Sequence, residues 1–159
     1  MADQPQPLWI VDGDNVAHVR GGPDAYEQVR EQLVAAVVDH AARSGIETVL
    51  VFDGHGRDRT IGRATLRHAG SETADTMIER LAHRNQHNHE VTVISSDAVL
   101  RHVAQRGRVQ AMSAREYVDR LAATATADAP PSTGTQRFKL GDSVDDDVRD
   151  ALERMRRGE

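Results

Sequence analysis

The chain has no cysteine, a single tryptophan, two phenylalanines and two tyrosines. Without cysteine there can be no disulfide, no thiolate nucleophile and no cysteine-based zinc site. With aromatics at 3%, any core must be built from Val, Leu, Ile and Ala. Long apolar runs are also missing, since Leu8–Val11 and Val49–Phe52 are far too short to span a bilayer. The opening stretch Met1-Ala2-Asp3-Gln4-Pro5-Gln6-Pro7 is polar and broken by proline, with neither a basic nor an apolar segment of a secretion signal. A cytoplasmic protein with no membrane partner is the expectation. Excess positive charge is lacking too, because the net charge is −5. A bulk field that would draw in nucleic acid is therefore excluded, and any such binding must rest on local arginines or bound cations. Of the 20 basic residues only Lys139 is a lysine, a bias that the base composition of a GC-rich genome would produce.

What is present suffices for one domain: 159 residues, with the apolar content gathered into short runs. Leu8–Val11, Thr48–Phe52 and Val91–Ile94 read as buried strands, with a shorter one at Val109–Met112 and a short edge strand at Ala64–His68. Helices are expected over 24–44, with Pro23 in the first turn and Gly45 as the stop, over 71–85 with Ser71 as cap, and over 97–106 before Gly107. Another runs from Ser113, where Ser113-Ala114-Arg115-Glu116 fits a capping box, to Ala123. Residues 54–63 read as a Gly- and Arg-rich loop. The resulting divisions are a tail over 1–7, a domain over 8–123, a linker over 124–143 and a helical extension over 144–159, centred on Val144–Arg157. Regular alternation of strand and helix predicts an α/β fold with a parallel, doubly wound sheet.

The three strongest strands each deliver an aspartate at their C-terminal end: Asp12, Asp53 and Asp97. In open parallel sheets ligands bind at that edge, so these carboxylates should share one crevice. On the helix expected over 71–85, Glu72, Asp75 and Glu79 fall at i, i+3 and i+7, on one side. Asp75 borders the apolar stripe and faces the sheet edge, whereas Glu79 reads as a solvated acid. Clustered carboxylates repel one another. A hard cation such as Mg²⁺ or Mn²⁺, which takes oxygen ligands, gives such a cluster its reason.

Five blocks then occur in order: Val11-Asp12-Gly13-Asp14-Asn15, Val51-Phe52-Asp53-Gly54-His55, Glu72-Thr73-Ala74-Asp75, Ser96-Asp97 and Ser113-Ala114-Arg115-Glu116. Together they resemble the YacP-like NYN domain, a branch of the PIN-like nucleases, over residues 8–123. The resemblance implies a PIN-like Rossmannoid three-layer sandwich and a metal-dependent endoribonuclease, in which metal-activated water cuts single-stranded RNA, in RNA processing or decay near the ribosome. Asp12, Asp75 and Asp97 match the family's metal-binding acids, and Asn15, Asp53 and Glu72 match its flanking polar positions. Asp14 departs from the pattern, because the family usually carries an aromatic there. Arg57, Arg59 and Arg63, with Ser96, are the expected substrate contacts, and Arg67 belongs to the same basic stretch.

Two other readings compete. A haloacid-dehalogenase-type phosphatase would use Asp12 and Asp14 as nucleophile and acid, Ser95 and Lys139 on phosphate, and Asp142, Asp145 and Asp146 on Mg²⁺. Its last acid motif should follow a buried strand, yet here it follows Pro130–Gln136, and Glu72 and Asp75 are left without a role. A non-catalytic RNA- or ribosome-binding module on the same scaffold would keep the fold and lose an acid, and none is missing. His87 and His89 read as a solvated turn at the far end of the sheet rather than as metal ligands. Arg20-Gly21-Gly22 reads as the approach to a helix, and His55 as a loop histidine that could touch substrate.

Overall fold

Strand β1 (Gln6–Asp12) alternates its side chains between two apolar layers, so it has to be covered on both faces. Leu8 and Ile10 enter one core cluster, Trp9 and Val11 the other. The computed structural model describes residues 4–21, 26–104 and 108–127. Pro23, Gly107, Lys139, the segment 128–143 and the expected helix Val144–Arg157 lie outside them.

After β1 come α1 (Gly13–Gly21), α2 (Tyr26–Ser44), β2 (Glu47–Phe52), β3 (Arg59–Ile61), β4 (Ala64–His68) and α3 (Ala74–Asn85). The chain continues through β5 (His89–Ile94), α4 (Ala98–Ala104), β6 (Gln110–Met112) and α5 (Ala114–Ala127). The sheet order is β3-β4-β2-β1-β5-β6, parallel throughout except for the β3–β4 pair. Helices α1, α2 and α5 pack on one face, through Val16, Leu33, Val37, Tyr117 and Leu121. Helix α3 covers the other with Ala74, Met77, Ile78 and Leu81, joined by Leu100 of α4. The expected three-layer α/β sandwich is therefore present. The compact unit that holds the sheet ends at Ala125. No helix among the described residues is long and apolar enough to cross a membrane.

Several boundaries differ from expectation, each for a local reason. Residues 13–21 form a helix that sequence periodicity does not announce, because only Gly13, Val16 and Ala17 are buried along it. Residues 54–63 are not all loop: Arg59–Ile61 pairs antiparallel with β4 around Gly62, which takes φ +59°. That hairpin makes β3 the edge strand and places β4 inside the sheet. Helix α3 starts three residues later than expected, capped by Thr73, whose Oγ1 accepts from the Thr76 N–H at 3.1 Å. Ser113 does cap α5, accepting the Glu116 N–H at 3.1 Å, and that helix runs on to Ala127.

The β1-to-α1 transition has no spare volume. A Cβ at Gly13 would lie 2.7 Å from Cε1 and 2.9 Å from Cδ1 and Cζ of the fully buried Phe52 ring. The Gly13→Ala substitution should therefore destabilise the protein by about 1–3 kcal/mol. Urea unfolding measures this directly, and an unchanged midpoint would mean that the ring has room to yield.

Candidate active site

Strands β1 and β5 are hydrogen-bonded neighbours, yet the chain leaves them in different directions: β1 leads through α1 and α2 to β2, while β5 leads through α4 to β6. Their C-terminal ends therefore meet at a switch point of the sheet, where open parallel sheets place their ligand crevice. Asp12 closes β1 at its floor and is only 7% exposed. Its Oδ1 accepts from the Asn15 N–H at 3.3 Å, and its Oδ2 accepts from the Ser95 hydroxyl at 3.2 Å. Burial outweighs those hydrogen bonds, with the Asp75 and Asp14 charges adding to it, and lifts the Asp12 carboxyl to about 6.

The β5 side is laced to β1 by the same groups. The Ser96 N–H donates to Asn15 Oδ1 at 2.6 Å, and the Asp97 N–H donates to Ser95 Oγ at 3.0 Å. Asp97 in turn caps α4, accepting the Leu100 N–H on Oδ1 at 3.1 Å. Asp75, in the first turn of α3, is held above the ordinary carboxylate range, first by burial and then by the charges of Asp97, Asp53 and Glu79. A hydrogen bond links the Asp75 and Asp97 carboxyls. Asp75 is thus the acid that links the other two, acting on Asp12 and acted on by Asp97.

Asp53 has a different place. Its Oδ1 accepts from the Ala74 N–H at 2.8 Å, so it fixes the start of α3 beside Asp75. Asp14, the departure from the family pattern, bridges two elements: Oδ2 accepts the Asp53 N–H at 2.7 Å, and Oδ1 accepts the Tyr26 hydroxyl. Burial and this bond to a carboxylate raise the Tyr26 phenol above its ordinary range. The charge that Asp14 adds is therefore tied into a clamp between α2 and the end of β2. Glu72 precedes α3, so helical spacing does not align it with Asp75. Its carboxylate is gripped by Arg80 through two bonds of 2.6 and 2.7 Å, which lowers its pKa.

The expected basic stretch is divided. Arg63 sits at the opposite edge of the sheet, where its carbonyl accepts from the Thr48 N–H at the start of β2. The five strand residues from there to His68 put it about 16 Å from the acidic edge. Arg67 pairs with Asp58 at 3.0 Å. Arg57 and Arg59 lie against the α2 face instead. His89 begins β5 opposite Gln6, at the far edge, and His87 lies in an exposed turn before it. Ser95 is the residue that sequence reasoning missed on this site. It is fully buried and bonded to Asp12, which also removes it from the phosphate-binding role that the phosphatase reading requires. A serine at a strand end gives no sequence signal that separates these two uses.

The donor set is entirely hard oxygen, as Mg²⁺ or Mn²⁺ prefers. Among the described residues no three acidic or histidine side chains stand close enough together to hold a metal ion between them. Mg²⁺ keeps several waters and needs only one or two direct carboxylates, and the pair Asp75 and Asp97 could supply those.

Comparison with known proteins agrees with this architecture. The family model described as YacP-like NYN domain matches residues 9–157. The crystal structure of Rae1 (YacP) from Bacillus subtilis is similar, with a TM-score of 0.65 and 22% identity over 95% of each chain. A single-substitution variant of that protein gives a TM-score of 0.66 and 23% identity over 77% of this chain and 79% of that one. At such identities the likeness speaks for the fold. No curated protein matches the chain significantly.

The Asp12 carboxyl leads to a pH dependence of defined sign. A carboxyl raised from 3.8 to about 6 binds its proton more tightly folded than unfolded. Its contribution to stability is therefore greatest below pH 4 and is lost as pH rises to about 6, by up to roughly 3 kcal/mol. In metal-free protein, urea unfolding of wild type and Asp12→Asn at about pH 4.5 and about pH 7, below and above that titration, should show the variant gaining relative stability at the higher pH. A constant difference between the two would mean that Asp12 ionises without penalty.

Proposed function

The chain belongs to the YacP-like NYN domain family, whose members are nucleases acting on RNA, and on that premise we propose that it is a metal-dependent endoribonuclease of the cytoplasm that cuts single-stranded RNA. The observation that carries this reading is that the Asp75 charge acts on Asp12 and the Asp97 charge on Asp75, near the ends of β1 and β5, with Asp12 and Asp75 both held above the ordinary carboxylate range. Like charges gathered at a ligand-binding edge without a cation cost stability, and a divalent cation relieves that cost.

In this reading Asp12, Asp75 and Asp97 hold Mg²⁺ or Mn²⁺, directly or through water. The cation, when bound, supplies the positive charge and Lewis acidity that phosphodiester hydrolysis by water requires. The protein's own groups set the geometry. Ser95 and Asn15 fix the Asp12 carboxylate by holding one oxygen each. Asp53 holds the start of α3, so that Asp75 stays opposite Asp97. Ser96 offers its exposed side chain at the crevice rim, and RNA in the vicinity of the ribosome is the proposed target. A non-catalytic RNA-binding module is the second reading, favoured by there being, among the described residues, no three acidic or histidine side chains close enough to hold a metal ion.

With Mg²⁺ or Mn²⁺ the protein should cleave within a single-stranded RNA and leave small phosphomonoesters untouched. Asp12→Asn, Asp75→Asn and Asp97→Asn should each slow cleavage by about 100-fold or more without lowering the melting temperature of the metal-free protein at about pH 7. RNA binding without cleavage in either metal would favour the non-catalytic module. Phosphomonoester turnover would instead return the chemistry to the phosphatase reading.

A further inference from the structure

On the α2 face, a groove of about 920 Å³ separates α2 from the β3–β4 hairpin. That is the size of a small-molecule site. Its α2 side is one helix face running from Glu27 to Ala42, which at 1.5 Å per residue is about 22 Å long. The floor is apolar, made by Val34, Val38, Ile61 and Leu66. The mouth opens where His55 and Gly56 leave β2, at the same sheet edge that carries Asp12 and Asp53.

The charges of the groove are sorted by wall. Arg57 and Arg59 line the hairpin side, and Glu27 and Glu31 line the α2 side. Among the described residues no hydrogen bond or ion pair engages any of the four. The other charged groups are already occupied. Arg30 donates to His68 Nε2 at 2.8 Å and stacks 4.0 Å above the Phe52 ring, while Asp39 pairs with Arg43 at 2.7 Å. Because a guanidinium only donates, His68 Nε2 must accept, and its Nδ1–H is left to donate to Asp58 at 3.2 Å. The ring that backs the mouth is thus locked, and it lies so close to Gly56 that a Cβ there would sit 2.5 Å away.

Free cations on one wall, an apolar floor and free carboxylates on the other wall complement a nucleotide. A nucleotide carries an anionic phosphate, a ring with apolar faces, and an outer edge of hydrogen-bonding groups. Arg57 and Arg59 suit the phosphate and the Val34–Ile61 floor suits the ring. A carboxylate on the far wall selects a base that offers two adjacent N–H donors, and guanine does so. We infer that the groove is a guanine-reading nucleotide subsite for the RNA strand cut at the neighbouring carboxylate edge. The strand's passage between the two rests on the nuclease reading; the affinity for a nucleotide does not.

The test uses full-length Asp12→Asn protein without divalent metal, titrated calorimetrically with GMP, AMP, CMP, UMP and ribose 5-phosphate. GMP should bind most tightly. The double variant Arg57→Ala/Arg59→Ala, made in the same background, should weaken GMP by about tenfold or more, and Glu31→Gln should weaken GMP by a similar factor while leaving AMP unchanged. Ile61→Glu should block every nucleotide, with thermal unfolding used to check that each variant is folded. Absence of nucleotide binding, or binding that ignores all of these substitutions, would overturn the groove. Equal affinity for the four nucleotides would overturn its guanine preference. RNA cleavage by wild-type protein is scored separately: cutting without nucleotide binding sinks the groove alone, and nucleotide binding without cutting in Mg²⁺ or Mn²⁺ sinks the nuclease reading alone.

Discussion

A carboxylate at the end of a fully covered strand is the constraint around which the site is arranged. Asp12 follows Val11, which has no exposed surface, and is itself only 7% exposed. Two hydrogen bonds, from the Asn15 amide and the Ser95 hydroxyl, do not offset its loss of hydration, so its pKa stands well above that of a free aspartate. The groups that make those bonds are themselves committed: Asn15 to the Ser96 N–H and Ser95 to the Asp97 N–H. Buried charge at β1 thereby fixes the conformation of the β5 turn, and with it the direction in which Asp97 is presented.

A second chain of contacts sets the opposite wall of the crevice. The Tyr26 hydroxyl and the Asp53 amide both donate to Asp14, and Asp53 holds the first amide of α3. Four elements, α1, α2, β2 and α3, are joined through two short acidic side chains. An aspartate at position 14 is thus compatible with the fold because both of its oxygens have partners. Acids that look alike in sequence divide by partner: Asp14 and Asp53 bind backbone or phenol donors, Glu72 is taken by Arg80, and Asp75 and Asp97 face each other.

The sheet was legible because its strands are buried on both faces and therefore read as short, continuous apolar runs. The inward stripes of α2 and α3 were legible because Leu33, Val37 and Ala41, and Met77, Ile78 and Leu81, recur at helical spacing. Strand β3 was not, since Arg59-Thr60-Ile61 owes its conformation to pairing with β4 rather than to burial. Helix α1 escaped notice for a related reason, having few buried positions to mark a period. Strand ends pointed to Asp12, Asp53 and Asp97 as neighbours, but not to their partners. Which oxygen meets Ser95, Asn15 or Ala74 is decided by loop geometry that carries no periodic signal. Arg63 was grouped with Arg57 and Arg59 by proximity along the chain. The hairpin reverses direction at Gly62 and sends it to the other edge.

A divalent cation held by the acids at the ends of β1 and β5 is what the proposed chemistry depends on. Anomalous diffraction from a crystal soaked in Mn²⁺ tests it without reference to any substrate. A manganese peak coordinated directly or through water by Asp12, Asp75 and Asp97, and lost in an Asp12→Asn crystal, is the predicted result. A crevice without manganese at a concentration that supports RNA cleavage, or a peak held by other residues, would contradict the account.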